Sequence, residues 1–327
     1  MKPRWKRLAL KTLLVVAAAF VALNLLACRH AYTMMHFTRG STRTGMPETL
    51  SRVQKLGVLL WGVNIPRPQS DGGVETLGVE ATSLRIQESA KVALGAWYCP
   101  GRTNGPLIIL FHGYTSEKSG TLPEARAFLE MGCSVLLVDF RGSGESSESY
   151  TTIGFAEADD VAAAVRYARQ NLPFSKLVLY GQSMGAAAAL RSISRCGVKP
   201  DAMIVEAVFD TLLHTVRHRF EAMRMPSFPS AELLVFWGGV EQGFNGLKLN
   251  PSSYAKDVTC PALFLHGDSD PRAHLEEARR VYEAVPGEKE FREFTNLGHA
   301  SGLTQYPEEW KKTVRDFFLK HGINPQH

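Results

Sequence analysis

Ser183 sits midway between two glycines in Gly181-Gln182-Ser183-Met184-Gly185, where the apolar run 177–180 gives way to the alanine-rich run 186–189. A serine hydroxyl is a poor nucleophile unaided. It needs a base to take its proton and a carboxylate to orient that base. Both partner types follow in chain order: Asp268 and Asp270 in "LFLHGDSDP", and His299 in "TNLGHAS". Serine, acid and histidine in that order suit acyl transfer, in which the serine oxygen attacks a carbonyl and the imidazole carries the proton.

Such chemistry needs a scaffold that pushes the serine out of the backbone. The apolar run "KLVLY" reads as a buried strand and "MGAAAALRSISR" as a helix, so Ser183 falls on the turn between them. A tight strand-to-helix turn crowds the residues two before and two after its apex, and both Gly181 and Gly185 lack a Cβ. The helix that starts there offers unpaired N–H groups and the positive end of its dipole.

Strand and helix patterns alternate from residue 107 onward. "LIILF", "SVLLVDF", "KLVLY", "AMIVEAV", "ALFLH" and "EFREF" read as strands, separated by helices such as "PEARAFLEMG", "EADDVAAAVRYARQN" and "HLEEARRVYEAV". "TSLRIQE" and "KVALGAWYC" add two alternating strands before them. The fold class is α/β: a mainly parallel sheet of about eight strands with helices on both faces. About fifty residues separate the sixth strand from the seventh, more than a simple crossover requires, and residues 209–257 are expected to form a small cap. Its aromatics Phe228, Phe236, Trp237 and Phe244 suit either an acyl-binding roof or simple packing of the cap.

The order of these motifs resembles the α/β-hydrolase superfamily, in its cap-bearing serine hydrolase branch of monoacylglycerol-lipase-like and serine-aminopeptidase-like members. "LFHGY" at 110–114 resembles the oxyanion loop and "DFRGSGES" at 139–146 a further family loop; the elbow, the "HGDSD" turn and the "GHAS" histidine complete the set. The likeness covers roughly residues 74–320. It implies Ser183 as nucleophile, His299 as base and Asp270, rather than Asp268, as orienting acid, with the backbone N–H groups of Tyr114 and Met184 as oxyanion hole. Asp210 is the alternative acid. No cofactor or metal is expected, and the substrate is expected to be a small acyl compound.

Other polar residues read as structural. His112 and His266 are expected in turns or packing, and Asp139, Asp159 and Asp160 at turns and on helix surfaces. His214 and His218 stand at i and i+4, a spacing that can hold zinc, but without an obvious third ligand they are assigned to a solvated helix face.

The formal charge of +5 hides an asymmetry. Residues 1–43 hold eight Lys or Arg and no acid, Glu48 being the first, which leaves 29 basic against 32 acidic groups in the rest. Nucleic-acid binding therefore has no support. Lys2, Arg4, Lys6, Arg7 and Lys11 precede the apolar residues 12–27, the layout of an export signal or membrane anchor. That run ends in Leu25-Leu26-Ala27-Cys28, which resembles a lipobox, so a lipid on Cys28 and a place outside the cytoplasm at a bacterial envelope are expected. Residues 1–28 thus read as signal or anchor, 29–73 as a connector and 74–322 as the hydrolase domain. Within the connector, "VQKLGVLLWGV" is expected to pack on the domain or to touch a membrane. Cys99, Cys133, Cys196 and Cys260 show no metal-binding spacing and read mainly as buried thiols. The leading functional reading is a serine esterase or lipase-like hydrolase. A peptidase or thioesterase using the same groups, and a non-catalytic binding protein on this scaffold, are the alternatives.

Overall fold

The computed structural model describes residues 4–40, 42–45, 49–70 and 72–323. Lys2, Glu48 and parts of the connector loop lie outside them. Eight strands form one sheet in the order β1-β2-β4-β3-β5-β6-β7-β8. They are β1 (Thr82–Gln87), β2 (Ala93–Cys99), β3 (Leu107–Phe111), β4 (Ser134–Val138), β5 (Leu177–Gln182), β6 (Ala202–Glu206), β7 (Ala262–Gly267) and β8 (Lys289–Phe294). β2 runs antiparallel to both its neighbours, and the pairs from β4 through β8 are parallel.

The composition of the strands explains the layering. β3, β4 and β6 are buried at every position, as a strand covered on both faces must be, so they read as unbroken apolar runs. One face packs on α4 (Glu157–Asn171), α5 (Met184–Cys196), α8 (Pro251–Ala255) and α9 (Leu275–Ala284) through residues such as Val161, Leu190, Tyr254 and Val281. The other packs on α3 (Leu122–Glu130) and α11 (Pro307–Lys320), where Phe128 meets Trp310 and Phe318.

Between β6 and β7 the chain forms α6 (Leu212–Ala222) and α7 (Ser230–Glu241) before α8. These helices make a third apolar cluster with Ala187 of α5 and Ala31 of α1 (Arg4–Met35). The apolar N-terminal segment therefore does not end at Cys28: one helix of 32 residues runs through it to Met35. It continues because Ala31 and Met35, one turn apart, pack on α7 at Gly238, where a Cβ would stand 3.0 Å from the Met35 sulfur. Much of α1 as far as Leu25 is exposed, with Leu8, Leu13, Val16, Phe20 and Leu25 open to the surroundings. It is long and apolar enough to cross a membrane. The connector's apolar stretch forms α2 (Arg52–Trp61), started by a capping box between Ser51 and Gln54. It leans on α1 but keeps Val53, Leu56, Leu60 and Trp61 exposed.

Candidate active site

Ser183 follows β5 directly and precedes α5. Its φ of 52° and ψ of −110° are rare for a residue with a side chain. The turn is held in that shape by close backbone approach. A Cβ on Gly181 would meet the backbone of Gly185 and Ala186 at 2.6 Å, and one on Gly185 would stand 2.3 Å from the Phe111 carbonyl oxygen. The two glycines are required by volume, as the spacing suggests.

The structure brings the three predicted side chains together from three separate strand ends. His299 Nε2 stands 3.1 Å from Ser183 Oγ, and His299 Nδ1 is 2.7 Å from Asp270 Oδ2. An ionised carboxylate only accepts, so Nδ1 donates to Asp270 and Nε2 is left to accept from the serine hydroxyl. Asp270 is itself fixed: its Oδ1 accepts the N–H groups of Arg272 at 2.8 Å and Ala273 at 3.0 Å. Burial alone would raise its pKa. The hydrogen bond and charge of His299, with the two N–H donors, outweigh burial and hold the carboxyl below its usual value. Asp268 turns away to accept Ser269 Oγ and the Asn296 N–H. Asp210 is engaged by His214 and Arg280 instead.

Tyr114 and Met184 border the same cavity as Ser183 and His299. Met184 is the first residue of α5, where an N–H has no acceptor within the helix. The Tyr114 hydroxyl donates to the Met34 carbonyl of α1 at 2.6 Å, which ties this loop to the N-terminal helix.

His112 and His266 are structural, as expected. His112 Nε2 accepts the Phe140 N–H at 3.1 Å, and His266 Nε2 bonds the Ala273 carbonyl at 2.8 Å beside the acid loop. Burial lowers the pKa of both rings. Two polar readings need correction. Asp160 is not on a surface: it is fully buried and pairs with Arg141 at 2.6 Å, and burial pushes its carboxyl up to about 6. Asp139 is likewise buried against Lys118 at 2.6 Å, both side chains being sealed from solvent. His214 and His218 do not form a solvated face either. His214 meets Asp210 at 2.8 Å and Glu277 at 3.6 Å, while His218 stacks on His274 at 3.7 Å between ring centres and lies 3.4 Å from Glu277. Asp210 is local, four residues before His214, but Glu277 and His274 come from α9 and the residue before it, which local spacing could not reveal.

Sequence reading missed Glu206. It ends β6 fully buried and accepts Tyr180 Oη, Ser301 Oγ at 3.2 Å and the Gly302 N–H at 2.6 Å. Burial, aided by nearby Glu124, pushes its carboxyl up to about 7. The signal was present, since a lone acid closing the apolar run "AMIV" requires buried partners.

A cavity of about 330 Å³ opens above Ser183. Of the two roles open to the cap aromatics Phe228, Phe236, Trp237 and Phe244, the roof is not taken: none of the four lines the cavity. Phe244 stacks on Phe155 at 4.2 Å, and Phe228 and Phe236 are exposed. The apolar lining comes from Val216, Phe220, Met225 and Leu234 of the cap and from Leu23 and Leu26 of α1. Arg43, Lys55, Arg219 and Arg272 also line it, with no Asp or Glu among the described lining residues. The five cysteines are free, with Cys99 and Cys133 buried and Cys28 exposed.

The family model described as serine aminopeptidase, S33 (Hydrolase_4) matches residues 103–222. The uncharacterized protein YqkD of Bacillus subtilis is 29% identical over 73% of this chain and 79% of its own. Lysophosphatidylserine lipase ABHD12 of Rattus norvegicus is 23% identical over 69% of this chain, and the match spans only 58% of that relative's length. Among solved structures, the esterase Pf2001 of Pyrococcus furiosus superposes with a TM-score of 0.68 at 26% identity, over 79% of this chain and 97% of its own. With the sheet order and the strand–serine–helix elbow already described, these likenesses show a hydrolase with the α/β-hydrolase fold.

Proposed function

We propose that the protein is a serine hydrolase that cleaves carboxylic esters through Ser183, His299 and Asp270 by way of an acyl-enzyme. The observation that carries this reading is the unbroken hydrogen-bonded chain from Ser183 Oγ through His299 to Asp270, at the floor of an apolar cavity. His299 Nε2 takes the hydroxyl proton as Ser183 Oγ attacks the ester carbonyl. Asp270 stabilises the imidazolium and does not itself take the proton. The oxyanion is received by the Met184 and Tyr114 N–H groups, each worth about 3–4 kcal/mol in such a site. His299 then protonates the leaving alcohol, and water, activated by the same imidazole, releases the acid.

The cavity favours an acyl chain over a peptide, because its lining is largely apolar, with Leu23, Leu26, Val216 and Leu234 along it. The rat relative is named a lysophosphatidylserine lipase and the Pyrococcus protein an esterase, names that fit an ester of this type. A fluorophosphonate probe on the purified full chain tests the reading. Labelling of native protein that vanishes in Ser183→Ala and after heat denaturation is expected, followed by turnover of p-nitrophenyl esters. Native, well-folded protein that neither labels nor hydrolyses esters of any chain length would overturn it.

A further inference from the structure

The N-terminal helix does more than carry the chain to a membrane. Residues 23, 26, 27, 30 and 34 of α1 line the cavity above Ser183, and Met34 accepts the Tyr114 hydroxyl. The helix is therefore one wall of the site rather than a detachable leader. Where α1 leaves the globule it is clasped by polar contacts. Asn24 Oδ1 accepts the Trp237 indole N–H at 3.0 Å, His30 Nε2 bonds the Leu59 carbonyl at 2.9 Å, and Arg29 Nε donates to the Trp61 carbonyl at 3.2 Å. Around this exit point the surface is apolar and uncovered. Trp61 is 68% exposed, Leu56 56%, Leu60 43% and Phe236 48%.

Helix length says what covers it. The uncharged run 12–27 would span about 24 Å at the helical rise, short of the roughly 30 Å hydrocarbon thickness of a bilayer. A membrane thick enough to receive α1 must therefore reach residues 23–27, of which Leu23, Leu26 and Ala27 line the cavity and Asn24 holds Trp237, the neighbour of Phe236. A tryptophan with its indole at the rim, beside Arg29, is the type of residue that settles at the headgroup layer.

We infer that the apolar ring of Leu56, Leu60, Trp61 and Phe236 rests on the bilayer that α1 enters, so that the cavity opens onto the membrane surface and draws its acyl chain directly from it. This rests on the esterase reading of Ser183. The occupant of the ring is lipid, because both elements that carry it, α2 and α7, pack on α1, whose exposed apolar residues run up to Leu25. Retention of α1 is part of the inference, since cleavage before Cys28 would remove Leu23, Leu26 and Ala27 from the cavity wall.

The test uses the full chain in phosphatidylglycerol-containing vesicles with brominated acyl chains. Trp61→Phe is expected to remove a clear share of the bromine quenching seen in the wild type. The double variant Leu60→Ser with Trp61→Ser is expected to hydrolyse a soluble butyrate ester within about twofold of wild type, yet to lose about fivefold or more on a vesicle-embedded monoacyl ester. Intact mass should show residues 23–27 present. Quenching unchanged by Trp61→Phe, equal loss or equal retention on both substrates, or a mature chain beginning at Cys28 would each overturn the inference. Ser183-dependent turnover of the soluble ester, measured in the same samples, reports separately on the esterase reading.

Discussion

Glu206 at the end of β6 accepts the Gly302 N–H at 2.6 Å, and so anchors the chain three residues beyond His299 to the centre of the sheet. The same carboxyl receives Ser301 Oγ and Tyr180 Oη. The loop that carries His299 is thus held by a buried acid with no direct contact to His299 itself.

Glu206→Gln keeps the shape and an acceptor for the Gly302 N–H, but removes the carboxylate and makes the Tyr180 and Ser301 hydroxyls turn from donors into acceptors. Rearranging a buried network of this kind costs about 1 kcal/mol. The expected result is a lower kcat with KM for a short ester little changed, because His299 is displaced while the cavity is not. Steady-state kinetics of the variant decide it. A fall in Tm with kcat intact would make Glu206 a purely structural residue.

Asp270→Asn leaves the Arg272 and Ala273 N–H groups an acceptor but removes the charge that fixes the Nδ1–H tautomer. Loss of that orientation costs about 10⁴-fold in kcat in comparable triads. The same loss is expected here, with Asp268→Asn close to wild type, since Asp268 faces Asn296 and Ser269. Comparison of the two variants on one ester checks the assignment.

Gly185→Ala forces a Cβ to within 2.3 Å of the Phe111 carbonyl oxygen, which a packed central strand cannot yield. Overpacking of this sort costs about 1–3 kcal/mol or more. A lower Tm and displaced Ser183 are expected, read as reduced fluorophosphonate labelling of the folded fraction.

Glu277 lies buried beside Asp210, and burial followed by that charge pushes its carboxyl up to about 8. Its Oε2 has no hydrogen-bond partner among the described residues. Its ordinary value is about 4.3. Between those two values the folded chain holds a proton that the unfolded chain has released, so stability falls as pH rises across that window. Glu277→Gln abolishes this dependence. Its Tm should exceed wild type at about pH 9, and the difference should shrink toward about pH 5. Melting curves across that range provide the check.

The elements and the reacting groups are legible locally. Unbroken apolar runs announce covered strands, and Gly181 and Gly185 announce the elbow, because each rests on a steric rule acting within a few residues. Chain order leaves Asp268 and Asp270 equivalent; only the family resemblance prefers Asp270, the one that the fold sets 2.7 Å from His299. What depends on distant segments was not legible. Asp160 and Asp139 carry surface-type charges, and only the fold supplies the Arg141 and Lys118 that permit their burial. His214 and His218 look solvated until α9 brings Glu277 against them. The cavity shows the same limit. Phe228 and Phe236 of the cap face outward and Phe244 packs on Phe155, whereas Phe220 and a helix that reads as a leader, through Leu23 and Leu26, supply the wall. Local sequence determines which groups are available and what they can do. Their environment is decided by packing between residues more than two hundred positions apart, such as Asn24 and Trp237, because burial, charge pairing and cavity shape are properties of the assembled surfaces and of no single segment.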